Sequence, residues 1–177
     1  MVRSVLAVGA RPGDLEDGCG GTLAAHRAAG DSVAMLVLTG TGAELTARTL
    51  DCLLVNGKLD RLDAGPETVA AIETVLTGVD ADVIYLPAAD DADPDRRAAA
   101  AATLSAARHG SRVLHYGGTS APHLVPSVFV DVTHHLDRKL QVVTDPETAA
   151  ASARHYGALA RVRYAEAFAP SRFVWDL

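Results

Sequence analysis

Two arginines and a small set of acids carry what chemistry this chain can do. The apolar run Val5 to Ala10 ends in Arg11-Pro12-Gly13-Asp14-Leu15-Glu16 and then in Gly18-Cys19-Gly20-Gly21. Such a pattern is a buried strand delivering side chains to its carboxyl end, with a helix N-terminus following. A second charged stretch, Asp91-Ala92-Asp93-Pro94-Asp95-Arg96-Arg97, lies far downstream. Guanidinium groups are permanently charged forks of N–H donors, suited to anions and carbonyl oxygens. Carboxylates and imidazoles beside them move protons. Arg11, Asp14, Asp93 and Arg96 are among the charged residues of these two stretches able to do such chemistry. Glu16, Thr39, Asp95, His115 and His123 are the candidate substrate-binding residues.

Short apolar runs alternating with helical patterns supply the frame that must position these groups. The pattern predicts strands at Ser4–Ala10, Ser32–Thr39, Cys52–Val55, Val83–Leu86, Val113–Tyr116 and Val128–Asp131. It predicts helices at Gly18–Ala29, Pro66–Thr77, Pro94–Arg108, Thr133–Val142 and Pro146–Ala160. Pro66 with Glu67, Thr133, and Asp145-Pro146-Glu147 are helix starts, and Gly30 and Gly110 stand where C-caps belong. The stretch from Thr39 to Asp51 has room only for a short helix. The expected fold class is α/β: a Rossmann-like, mostly parallel sheet with helices on both faces, as one domain over residues 1–177. Ligands of such sheets collect at the carboxyl ends of strands where the strand order reverses. That rule gathers Arg11–Glu16, Thr39–Thr41 and Pro87–Asp95 around one cleft.

Several of these residues admit a plainer reading. Glu16 near a helix start serves the helix dipole as well as a pocket. His115 ends a strand and His123 lies in the following loop, where a hydrogen-bonded or exposed histidine is as natural as a proton carrier. Gly18, Gly20 and Gly21 lack the G-x-G-x-x-G spacing, so close packing of a helix on the sheet explains them better than a phosphate cradle.

Bulk properties narrow the field. A chain of 177 residues with 49% apolar and 21% charged residues buries a full core in the manner of globular proteins. A net charge of −6 argues against nucleic acid or a membrane surface as the main partner. No apolar run approaches the roughly 20 residues that span a bilayer. Met1-Val2-Arg3-Ser4 enters a strand with no signal-peptide pattern, so a cytoplasmic location is expected. Cys19 and Cys52 form neither a disulfide framework nor a metal clip, and no base stands near Cys19 in sequence to activate it.

The first stretch resembles the signature of the PIG-L/LmbE family of zinc-dependent N-deacetylases, whose turn reads A-H-P-D-D-x-E-x-G-C-G-G. Ser32–Thr39 is similar to that family's second strand, and Asp91–Ala98 lines up with its second metal motif, H-P-D-H-R. Val128-Phe129-Val130-Asp131-Val132 with Leu136-Asp137-Arg138-Lys139 resembles its F-V-D-I…L-x-x-K segment. Val162–Phe168 resembles its terminal Y-A-E-A-F, in which Glu166 reads as a structural hydrogen-bonding residue near the site. The segment between the second strand and Asp91 is shorter than the family's. The resemblance implies the family's α/β fold and makes a homo-oligomer plausible.

The resemblance also says what has changed. Catalytic zinc takes three protein ligands and an open position, and lowers its bound water's pKa to about 7. Carried onto this chain, the family's first ligand is Arg11, its general base Gly13, its second ligand Asp14 and its third Arg96, with Asp93 at the other histidine of the second motif. Only Asp14 keeps its chemistry. The expectation is no metal and no cofactor, with guanidinium charge standing where the divalent ion stood and pairing with the remaining acids. Three functions stay open: metal-independent turnover of a small polar or anionic metabolite in a specialised biosynthetic pathway, a non-catalytic ligand-binding protein, and retained hydrolysis of an N-acyl sugar-like amine. A salt-bridged plug in a dead cleft, and an oxygen-ligand metal site of Asp14, Asp93 and Asp95, are the alternatives for the charged groups themselves.

Overall fold

The computed structural model describes residues 2–118, 120, 121 and 123–174. Its strands are β1 (Ser4–Gly9), β2 (Ser32–Val37), β3 (Leu53–Asn56), β4 (Val83–Pro87), β5 (Arg112–Tyr116), β6 (Val128–Asp131) and β7 (Ala165–Phe173). Its helices are α1 (Asp14–Ala28), α2 (Glu44–Leu50), α3 (Pro66–Val79), α4 (Pro94–Ala106), α5 (Leu136–Leu140) and α6 (Pro146–Ala160). The strands form one sheet in the order β3-β2-β1-β4-β5-β7-β6. β3 through β5 of that order run parallel, while β7 is antiparallel to both β5 and β6. The order reverses between β1 and β4, so the crevice expected of a doubly wound sheet opens at their carboxyl ends.

The apolar runs make these strands because both faces are covered. On one face Val5, Ala7 and Met35 meet Leu15, Cys19 and Leu23 of α1 and Leu50 of α2. On the other, Leu6, Val8 and Leu36 meet Ile72 of α3 and Ala99 and Ala102 of α4. Burial on both faces is what turns a parallel strand into an unbroken hydrophobic run. Among the described residues no helix is long and apolar enough to cross a membrane.

Three elements differ from the sequence reading. α1 begins at Asp14 rather than Gly18, because Gly13 takes a left-handed φ of 98° that a side chain would oppose. The Glu16 carboxylate then accepts from the Gly13 N–H at 3.0 Å, and three acids in the first turn suit the positive end of the helix dipole. α5 is shorter than the predicted helix, its first residues forming turns instead. β7 has no counterpart among the predicted strands. Pro170 lies within it and lacks the N–H that a ladder requires, and the β5–β7 register shifts between Val113 and Leu114 opposite that proline.

The glycine-rich stretch is a packing device. A Cβ on Gly18 would run into the Tyr116 ring, and one on Gly21 would stand 3.1 Å from Val132 and 3.2 Å from Glu166. The glycines let α1 lie close on β5 and β7, in line with the spacing argument.

Candidate functional site

Asp14 is the pivot. As the first residue of α1 it turns its carboxylate back over the strand end, where Oδ2 accepts from the Ala10 N–H at 2.9 Å and the Arg11 N–H at 3.0 Å. Its Oδ1 receives Arg96 Nε at 2.9 Å and lies 2.8 Å from Arg96 Nη2. Arg96 comes from the first turn of α4, whose start is fixed by the Asp93 carboxylate capping the Asp95 N–H at 2.9 Å and by Pro94. Its Nη1 donates to Ser120 Oγ, which donates to Asp91 Oδ2 at 3.0 Å. Asp91 itself is buried, and its Oδ1 caps the Asp93 N–H at 2.9 Å. Burial works against the Arg96 charge, but Asp14 and Asp91 outweigh it and hold the guanidinium above its ordinary pKa.

A cavity of about 300 Å³ opens beside this pair. Asp14, Asp17 and Gly18 of α1 form one wall, with Asp91 and Arg96 at one end and Tyr116 of β5 behind. α6 closes the opposite side with Asp145, Thr148, Ser152 and Tyr156. The floor holds Lys139 and Glu166, a buried pair at 2.7 Å. Lys139 Nζ also donates to the Asp17 carbonyl at 2.7 Å, and Glu166 accepts from the Gly21 and Thr22 N–H groups at 3.0 and 2.7 Å. Glu166 is thus both a brace between β7 and α1 and part of the lining. In formal charge the lining sets five carboxylates against two cations, Arg96 and Lys139.

Of the nine residues singled out in the sequence, the structure brings only Asp14 and Arg96 to this cavity. Arg11 turns outward instead. Its Nη2 pairs with Asp93 and its Nη1 lies 3.4 Å from Asp95, and the three sit apart from the cavity lining. Burial alone would raise the Asp93 carboxyl, but the Arg11 hydrogen bond and the amides of Asp95 and Arg96 hold it below the usual range. Asp14 and Asp93 are the proton acceptors expected from the sequence, yet both carboxylates are already engaged on each oxygen. Glu16 caps α1 and accepts from Thr46 Oγ1 at 2.6 Å, tying α2 to α1, so the capping reading prevails over the pocket reading. Thr39 Oγ1 donates to the Ala10 carbonyl at 2.8 Å and closes a strand end.

The two histidines are not in the site either. His115 lies between the Pro87 carbonyl and Ser171 Oγ, each at 2.7 Å, on the face of β5 away from Tyr116. Alternation along a strand sends neighbours to opposite faces, so one of the pair had to miss. His123 is exposed and outside the lining. Sequence reasoning overlooks Asp17, Lys139 and the α6 face. A helix starting at Asp14 would reveal Asp17, since residues three apart share a face. The i, i+4, i+8 series Thr148, Ser152, Tyr156 is legible as one face, with nothing to say what it faces.

The donor set does not fit the zinc that the resemblance implies. Arg11 and Arg96 offer only N–H donors, Gly13 has no side chain, and the Asp14 oxygens are taken. Among the described residues no group of three or more His, Cys, Asp or Glu side chains stands ready to hold a metal ion. Asp14 is held by Arg96, whereas Asp93 and Asp95 are both held by Arg11, so the three do not form one ligand set.

No family model matches the chain, and no curated protein matches it in sequence. Solved structures do. The conserved protein TT1542 from Thermus thermophilus superposes with a TM-score of 0.86 at 23% identity, over 99% of this chain and 98% of that one. GalB, the 4-carboxy-2-hydroxymuconate hydratase of Pseudomonas putida, gives 0.84 at 16% identity, over 99% and 100%. N,N'-diacetylchitobiose deacetylase from Pyrococcus horikoshii gives 0.75 at 19% identity, over 94% and 82%. The fold is shared with that deacetylase, as the motif resemblance implied.

Proposed function

We propose that this chain is a divergent PIG-L/LmbE-type protein that handles a small polar metabolite without zinc, with Arg96 as the fixed positive group of its site. The observation that carries this reading is the Asp14–Arg96 pair on the wall of the 300 Å³ cavity beside the switch point of the sheet. A guanidinium has five N–H donors. The hydrogen bonds and ion pair to Asp14 and Ser120 engage one on each nitrogen, leaving donors for a ligand oxygen. A preorganised cation on a cavity wall stabilises developing oxyanion character without a metal. An anionic metabolite, one of the two ligand types expected from the sequence, suits the site less well, because the lining carries more carboxylates than cations.

The fold does not bind this chain to deacetylation. GalB, by name a hydratase, shares it, so addition or elimination of water is a chemistry the scaffold accepts. The second reading, a ligand-binding protein without turnover, is favoured by one fact: both expected proton acceptors, Asp14 and Asp93, are saturated. A cytoplasmic setting, specialised biosynthesis and self-association belong to the same proposal.

Native mass spectrometry of the purified protein tests it. The wild-type chain retains a small polar metabolite that Arg96→Met loses and Arg11→Met keeps. Equal retention by Arg96→Met and wild type, with unchanged circular dichroism, defeats the reading. Stoichiometric zinc by elemental analysis would restore hydrolysis of an N-acyl group instead.

A further inference from the structure

We propose that Asp17 selects the ligand of this cavity, receiving the ammonium group of a small hydroxylated amine whose oxygens face Arg96. This rests on the reading of the cavity as a ligand site, and names the class of molecule it takes.

Asp17 follows Asp14 by three residues on α1, and both line the same wall. The other carboxylates of the lining are spoken for. Asp14 holds Arg96 and two backbone amides, and Asp91 holds Ser120 and the Asp93 amide. Asp145 caps α6 through the Thr148 N–H and hydroxyl, and Glu166 holds Lys139 and two amides of α1. Among the described residues, no hydrogen bond or ion pair engages the Asp17 carboxylate. Its acceptor lone pairs are the unused ones in the acidic part of the lining.

Its surroundings favour a positive ligand. Asp17 opens to solvent at the cavity, yet its carboxyl is held above the usual range, chiefly by lost hydration, with Asp14 and Asp145 adding to the rise. Lys139 and Arg96 pull the other way without reversing it. A ligand cation supplies the missing counter-charge. Two aromatic rings, Tyr116 and Tyr156, also line the space, and ring faces attract ammonium groups. Ser152 on α6 offers a hydroxyl partner to a polyol.

Three probes of matched size separate the charges: glucamine, sorbitol and gluconate, titrated into the full chain near neutral pH by calorimetry and followed by amide NMR. Glucamine binds tightest and gluconate weakest, with shifts around α1 and α6. Asp17→Asn weakens glucamine by about tenfold, the worth of one charge-assisted hydrogen bond, and leaves sorbitol unchanged. Asp17 holds no other residue through its carboxylate, so the variant keeps the fold. The inference is overturned if gluconate matches glucamine, if Asp17→Asn leaves glucamine unchanged, or if none of the three binds at millimolar concentration. The underlying reading fails separately: Arg96→Met would then leave all three affinities intact. If Arg96→Met weakens all three while Asp17→Asn does not discriminate among them, the site stands and the amine assignment falls.

Discussion

Arg11 and Arg96 come from the two stretches that the sequence marks for chemistry, and each pairs with an aspartate of the other stretch. Arg11 pairs with Asp93 and Asp95 with its side chain 42% exposed. Arg96 pairs with Asp14, whose side chain is 1% exposed, and is gripped further by Ser120. The same ion pair is thus made twice, once on the surface and once on a cavity wall. Position within the element decides which. Arg11 sits on the turn before α1 and points away, whereas Arg96 lies in the first turn of α4 and points in under Asp14. A surface pair is screened and held loosely, while a buried one is fixed by every group that desolvation forces onto it.

The sharpest way to break the comparison is Asp14→Ala. It strips Arg96 of the nearer of its two counter-charges and leaves the Ala10 and Arg11 amides unanswered, so a loss of about 3–5 kcal/mol is expected in urea unfolding. Gly18→Ala comes next. The added methyl meets the Tyr116 ring, which is itself pinned by a 2.8 Å hydrogen bond from its hydroxyl to the Val8 carbonyl. Overpacking of this kind costs about 1–3 kcal/mol, visible as a lower urea midpoint. Arg11→Met should cost less than about 1 kcal/mol in the same experiment. A loss equal to that of Asp14→Ala would erase the distinction between the two pairs.

The smallest effect is in the acid limb. The Asp93 carboxyl is held below its usual range in the folded state. Its contribution is therefore present above the unfolded value of about 3.9 and disappears as pH falls through the lower folded one. Removing Arg11 takes away part of that depression. Urea midpoints of Arg11→Met and wild type should differ at neutral pH and converge below about pH 4. Midpoints that diverge further on acidification would mean Asp93 draws its ionisation from somewhere else.

The parallel strands are legible because double-sided burial writes itself as an apolar run, as in Val5–Ala10 and Ser32–Thr39. β7 is not, since an antiparallel strand carrying Pro170, Ser171 and Arg172 has no such run, and its pairing with β5 and β6 joins distant segments. The start of α1 is hidden for a local reason: Pro12-Gly13-Asp14 spells a turn, and the backbone uses Gly13 to begin a helix at once. That displacement cost the sequence reading Asp17. His115 is misplaced by the two-residue period of its strand, which no composition argument resolves.

From its residues alone, this chain determined an α/β frame and the two charged stretches at the ends of its strands, with arginine at positions 11 and 96. Residue types and hydrophobic periods are local, and they suffice for that much. Only the tertiary structure decided that one arginine faces a cavity and the other faces water, and that α6 and the Lys139–Glu166 pair complete the wall. Those outcomes depend on side-chain direction and on contacts between segments far apart in the chain, which periodicity does not encode.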